Sequence, residues 1–185
     1  MTNKILVPLA EGFEEIEAVT IVDVLRRAEL DVTLAGLDGA GPQRGSRGVL
    51  VQPDCAFADL EPGEFDVIVL PGGLGGTVRM LEEPRLLDAL RELHARGGLT
   101  AAVCAAPMVL AEAGLISGVP VTSHPSVRDR LGDADVRSEP RVVCSGSIVT
   151  SQGPGTSLEF ALALVAELCG ADVAADLAKA MVTRA

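Results

Sequence analysis

The chain has 185 residues, enough for one domain with a sizeable core, and a formal net charge of −11. That charge argues against nucleic acid or an anionic membrane surface as a partner. The absence of Trp and Tyr removes the stacking platforms that single-stranded nucleic acid uses.

The opening residues, "MTNKILVPLAEGFEEIE", carry a short apolar run that soon meets acidic residues, unlike a secretory signal. No apolar stretch is long enough to span a bilayer without interruption. "KILVPLA" (4–10) reads as a buried strand, and Glu14 to Arg27 as a helix. At about 100° per residue, Thr20, Asp23 and Arg27 form one polar stripe on that helix, and most of its remaining circumference is apolar. Glu17 projects within the apolar arc, between Ile21 and Val24, so desolvation is expected to raise its pKa. Glu14 falls in the same arc and is its rival, whereas Glu15 suits a first-turn acid favoured by the helix dipole. A helix this apolar is expected to be covered on two sides, in part by a second subunit.

"DVTLAGL" (31–37), "DVIVLPGG" (66–73) and "LTAAVC" (99–104) continue the strand pattern, and Pro84 to Arg96 is a further helix. "SRGVLVQPD" (46–54) and "PRVVCSGSIVTSQ" (140–152) read as antiparallel additions, the second a hairpin about Ser145-Gly146. "GTSLEFALALVAELCG" (155–170) has the length of a helix, with Gly170 as its C-cap. Strands spaced by helices predict one doubly wound α/β domain over residues 1–185, its mostly parallel sheet covered by helices on both faces. Ligands bind such sheets at the C-terminal strand ends. Three stretches fall there: "AEGFEE", "LPGGLGG" and "VCAAP".

In the second, Gly72 and Gly73 let backbone approach a site and present N–H donors, although an ordinary turn explains them as simply. The string is no phosphate loop, because no "GK[ST]" follows it. In the third, small residues flank Cys104 as they flank the nucleophile of a strand-to-helix elbow, and Pro107 suits the first helical turn. A thiol there faces free backbone amides, which would favour thiolate and could hold an oxyanion. On spacing alone, a nucleophile and a small core hydrophobe fit Cys104 equally well. Cys55, Cys104, Cys144 and Cys169 include no CxxC pair, a pattern of reduced cytoplasmic thiols rather than of disulfides or zinc. Of the two histidines, His94 lies near a helix end and reads as solvated or capping; His124, in "VTSHPSV", is an acid/base candidate only if Cys104 is near.

The run "PLAEGFEEIEAVTIVDVLRRA", then "DVIVLPGG", "AAVCAAP", "VTSHP" and "TSQGPGTSLEFALALV", resembles the DJ-one/ThiJ/PfpI superfamily over nearly the whole chain. The nearest branch is that of the human parkinsonism-associated deglycase and bacterial YajL. The resemblance implies a flavodoxin-like α/β sandwich, a homodimer and an oxidisable cysteine at a nucleophile elbow. Carried over by position, it makes Cys104 the reactive cysteine and Glu17 the buried glutamate on its sulfur, which decides between Glu17 and Glu14. Gly73 and the Ala105 amide become oxyanion donors, with Gly72 beside them, and His124 the histidine near the thiol. Glu14, Arg26, Arg27 and Arg47 fall in segments corresponding to the dimer interface. The family's "CAGP" and "SRGPGTS" stand here as "CAAP" and "SQGPGTS". Its protease members carry histidine where this chain has Ala105, and the late His-x-Glu pair of glutamine amidotransferases is absent, so neither activity is expected.

Two functions remain. In one, Cys104 attacks methylglyoxal or glyoxal and forms a hemithioacetal. Gly73 and Ala105 hold the oxyanion while Glu17 and His124 move protons toward a 2-hydroxy acid, a glyoxalase III or deglycase chemistry without cofactor or metal. In the other, Cys104 sulfinate formation makes the protein an oxidative-stress sensor or redox-regulated chaperone. The partners expected are a small aldehyde or oxidant and a second copy of the chain, in the cytoplasm.

Overall fold

The computed structural model describes residues 3–183. Its strands are short and apolar on both faces, the pattern a parallel sheet requires when helices cover it twice. β1 (Lys4–Leu9) shows this residue by residue. Ile5, Val7 and Leu9 enter one core and Leu6 the other, all without solvent contact. Helix α1 (Glu15–Arg27) follows, then β2 (Asp31–Gly36), the two-residue strands β3 (Gln43–Arg44), β4 (Leu50–Val51) and β5 (Cys55–Ala56), and β6 (Val67–Leu70). Helices α2 (Leu74–Leu81) and α3 (Pro84–Ala95) lead to β7 (Leu99–Val103) and α4 (Pro107–Glu112). The chain closes with β8 (Pro120–Val121), β9 (Asp135–Val136), β10 (Val142–Ser145), β11 (Ile148–Ser151), α5 (Ser157–Cys169) and α6 (Ala171–Ala180).

Seven strands form one sheet in the order β10-β11-β7-β6-β1-β2-β5. All pairings within it are parallel except β10 with β11. Helices α1, α5 and α6 cover one face and α2, α3 and α4 the other. This is the doubly wound, flavodoxin-like arrangement the sequence predicts. The order turns between β1 and β6: β2 and β5 build outward from one, β7 and β11 from the other. The C-terminal ends of β1, β6 and β7 therefore lie side by side, at the point where doubly wound sheets leave a crevice.

Three local expectations need correction, while the 46–54 segment is the antiparallel addition expected. "LPGGLGG" is more than a turn, because α2 begins at Leu74 inside it. Its glycines serve close backbone approach. A Cβ on Gly12 would lie 2.9 Å from the Gly75 Cα, so the loops after β1 and β6 touch without side chains between them. The 140–152 segment is only half an antiparallel addition, since β11 pairs parallel with β7. Its turn is Gly146-Ser147, one residue later than expected, with Gly146 in the left-handed region at φ 59°. The 46–54 segment contributes β4, which pairs antiparallel with β3 outside the main sheet.

That small hairpin is fastened over the start of α1. The Gly12 amide donates to the Arg44 carbonyl (2.8 Å) and the Ser46 amide to the Phe13 carbonyl (2.8 Å). Glu15, expected only as a first-turn acid, also accepts from the Arg47 amide (2.6 Å) and the Ser46 hydroxyl (3.1 Å). Burial works against its charge, but these bonds outweigh it and leave the carboxyl below its ordinary pKa. Among the described residues, no helix is long and apolar enough to cross a membrane.

Candidate active site

Where β7 ends, Cys104 takes a left-handed backbone conformation, φ 63°. For a residue with a side chain this costs on the order of 1 kcal/mol or more, and the surroundings must enforce it. Two hydrogen bonds do so. The Cys104 amide donates to the Ser151 carbonyl at 3.0 Å, and its carbonyl accepts from the His124 amide at 2.9 Å. Ala105 and Ala106 are buried, as backbone crowding at such a turn demands, and Pro107 starts α4. The result is a half-buried thiol on a strained elbow between sheet and helix.

Glu17 reaches this thiol from α1. It has no solvent exposure. The Gly72 amide donates to its Oε2 at 2.8 Å, and the carboxyl lies against the Cys104 thiol, with which it hydrogen-bonds. Burial raises the carboxyl pKa from 4.5 to about 7, against the pull of Cys104 and the Gly72 amide. Glu14, its rival in the sequence, instead caps α1 by accepting the Glu17 amide at 2.9 Å.

For Cys104 the sequence expectation of a lowered pKa is overturned. Burial first, and the neighbouring Glu17 charge second, push the thiol up to about 12. The Gly73 and Ala105 amides point at the sulfur and act in the expected direction, but they are outweighed. A carboxylate and a thiolate side by side in a partly buried site repel, so at least one of the two keeps its proton. The thiolate is accessible when Glu17 keeps its own.

The two glycines divide their work. Gly72 spends its amide on Glu17, so the expectation that it serves an oxyanion moves to Gly73 and Ala105 alone. A Cβ on Gly72 would stand 2.5 Å from Glu17 Oε2 and 2.6 Å from the Cys104 Cβ, which leaves room only for hydrogen. Gly73, at φ 91°, turns its amide toward the sulfur and starts α2.

His124 follows β8 and is half-buried. Its Nδ1 lies 2.8 Å from the Ser126 hydroxyl and accepts from the Ser126 amide at 3.3 Å. Gly153 separates ring and thiol: a Cβ there would meet His124 Cδ2 at 3.4 Å and Cys104 Sγ at 4.0 Å. These residues open onto a cleft of about 350 Å³, lined by Cys104, Ala105, Gly73, His124, Ser126 and Pro154. Glu14, Ser46, Arg47 and Leu74 also line it.

Of the residues singled out in the sequence, the structure brings Cys104, Glu17, Gly72, Gly73, Ala105 and His124 together. Glu14 and Arg47, expected at an interface, line the cleft as well. Arg26 and Arg27 lie apart, at the far end of α1. Arg26 pairs with Asp54, and Arg27 Nε with Asp23 at 2.7 Å. Ser46, Ser126 and Gly153 escaped sequence reasoning. The only signal for Gly153 was its place in "SQGPGTS", and Ser126 carries no motif. The four cysteines are free.

Two predictions follow from these contacts. Gly72→Ala should destabilise the fold by about 1–3 kcal/mol through overpacking, whereas Gly153→Ala, meeting only ordinary contact distances, should stay within ~0.5 kcal/mol of wild type. Urea unfolding of both variants checks this; equal losses would contradict it. The second concerns pH. A carboxyl whose pKa rises on folding contributes stability at low pH, lost as pH climbs through the folded value. Between pH 4.5 and about 7, Glu17 should thus cost the fold up to roughly 3 kcal/mol. Glu17→Gln should lack that downward slope when stability is measured stepwise across the interval.

Comparison with known proteins agrees with this architecture. Residues 3–167 match the DJ-1/PfpI family. The Parkinson disease protein 7 homolog of Danio rerio is 46% identical over 178 residues, covering 95% of this chain and 94% of that protein. A glutathione-independent glyoxalase of Caenorhabditis elegans, DJR-1.2, is 37% identical over 176 residues, 95% of this chain and 92% of its own. The crystal structure of Drosophila melanogaster DJ-1beta superposes with a TM-score of 0.96 at 44% identity, covering both chains completely. A strained cysteine, a buried glutamate beside it and likeness along the whole chain lead to one conclusion: the chain belongs to the DJ-1/PfpI family.

Proposed function

We propose that this chain is a cofactor-independent enzyme of glyoxalase III type that converts methylglyoxal and related 2-oxoaldehydes to 2-hydroxy acids, with deglycase action as the same chemistry on an adduct. The observation that carries the reading is the fully buried Glu17 carboxyl hydrogen-bonded to the Cys104 thiol. The likeness to a glutathione-independent glyoxalase supports it.

In this reading the Cys104 sulfur bonds to the aldehyde carbon, and the thiol proton passes through Glu17 to the new alkoxide, giving a neutral hemithioacetal. The Gly73 and Ala105 amides stabilise negative charge as it leaves sulfur for oxygen. The hydrogen on C1 then leaves as a proton and returns at C2, and the hydroxyl proton moves from O1 to O2, with Glu17 and His124 as the acid–base groups. C1 is oxidised as C2 is reduced, so no external oxidant enters. Water hydrolyses the resulting thioester, releasing lactate and restoring the thiol. A group with a pKa near 7 both takes and gives protons at neutral pH, which suits Glu17 to the transfer.

We assign the protein to the cytoplasm, where four free thiols stay reduced, and propose that it acts as a homodimer. Ile16 and Val19 on α1 are 57% and 49% exposed, and Val49 and Leu50 on the neighbouring hairpin 53% and 56%. A two-fold copy of the same patch would cover them.

Purified wild type should form lactate from methylglyoxal without added glutathione, and Cys104→Ser should lose the activity by at least ~10³-fold, as expected for removal of a covalent nucleophile. No turnover in the wild type would overturn the enzyme and leave the sulfinate sensor. Analytical ultracentrifugation at micromolar concentration should show a dimer that Ile16→Asp dissociates; a monomeric wild type would refute the two-fold cover.

A further inference from the structure

Ser126 lies on a 3₁₀ segment, Pro125–Arg130, with His124 at its N-cap. Both residues line the cleft. The Ser126 amide can only donate, and it is directed at His124 Nδ1. At 3.3 Å the amide bond alone is too long to fix the ring; with the shorter hydroxyl bond beside it, Nδ1 accepts and the ring proton belongs on Nε2. The Ser126 hydroxyl, 2.8 Å from the same nitrogen, donates a second bond. The same two donors fix the ring's orientation, because flipping would set a C–H against both of them while Cδ2 faces Gly153.

We infer that Ser126 is a positioning residue that locks His124 as an Nε2–H hydrogen-bond donor, so that His124 stabilises the substrate-derived oxygen without transferring a proton and Glu17 alone carries protons. The inference rests on the glyoxalase-type reading and divides the acid–base work that this reading gives to two residues. A neutral imidazole with its proton on Nε2 could surrender it only by becoming an imidazolate, a far poorer outcome than keeping it. It can still polarise a carbonyl or hold an alkoxide in the cleft. The C1 proton then goes to the Glu17 carboxylate and from there to C2, and the O1 hydroxyl proton passes by the same carboxyl to O2, so both transfers close on one group. The raised pKa of Glu17 agrees with that duty.

The chain has only two histidines, so long-range proton–nitrogen correlation spectra resolve His124, with His94→Gln giving the assignment. At a pH where imidazole is neutral, the wild type should show a protonated Nε2 and a bare Nδ1. Ser126→Ala keeps the weaker amide bond only, so it should mix the tautomers. It should also lower kcat and kcat/KM together by ~3- to 10-fold, at unchanged KM, the loss expected for one hydrogen bond that matters in the transition state. Ser126→Thr, which retains both donors, should restore the tautomer and bring turnover within ~2-fold of wild type. A wild-type Nδ1–H tautomer would overturn the inference, as would a Ser126→Ala protein with unchanged tautomer or unchanged kcat. If the wild type shows no turnover, the functional reading fails by itself, and the tautomer comparison still decides whether Ser126 positions the ring.

Discussion

A half-buried thiol set against a fully buried carboxyl is the constraint around which this molecule is built. Neither group ionises freely. Burial raises both pKa values, and a charge on one opposes a charge on the other. The pair therefore needs three supports: a backbone donor for the carboxyl, amides for the sulfur, and no side chain between the two groups. Gly72 supplies the first and, through its missing Cβ, the third. Gly73 and Ala105 supply the second. All three come from loops at the C-terminal ends of adjacent strands, so the topology of the sheet is what allows α1, the β6 loop and the β7 elbow to converge.

The strain at Cys104 belongs to the same arrangement. A left-handed cysteine lifts its sulfur out of the line of β7 and into the space between α1 and the cleft. The parallel sheet holds that conformation by ordinary means, an amide bonded to β11 and a carbonyl bonded to the loop after β8. These bonds also couple the elbow to the histidine, because the amide that restrains Cys104 is that of His124. Moving the His124 loop would release the elbow. Histidine and thiol are thus neighbours by backbone as well as by side chain.

Much of this was legible in the sequence, for identifiable reasons. Period and turn chemistry placed the main strands, because buried parallel strands are short, uniformly apolar runs. Glu17 stood out because a carboxylate between Ile21 and Val24 has no solvent on its side of a helix packed against a sheet. Other features depended on distances that no local pattern encodes. The thiol pKa went the wrong way because helix-terminus amides can be read from "CAAP", but the depth at which the fold buries the sulfur, the larger effect, cannot. α2 was hidden because glycine disfavours helix, whereas Gly75 and Gly76 are needed there for contact with Gly12 and Phe13. Ser126 and Gly153 become meaningful only once the loop after β8 and the turn after β11 meet over Cys104.

The rim of the cleft obeys a different logic from its floor. The floor rests on core: Gly73, Cys104 and Ala105 are held by sheet and helix. The rim includes Ser46 and Arg47, on a two-strand hairpin outside the main sheet, and its attachment is polar. Glu15 is the clamp, reaching across a Gly45 that has no side chain to obstruct it. The same hairpin carries Val49 and Leu50, and the same turn of α1 carries Ile16, so the exposed apolar patch and the cleft rim are two sides of one small element. Whatever covers Ile16, Val49 and Leu50 thereby also sets how firmly Arg47 stands at the mouth of the cleft. In a two-fold dimer, assembly would stiffen the rim while leaving the thiol–carboxyl pair, fixed from within each chain, untouched.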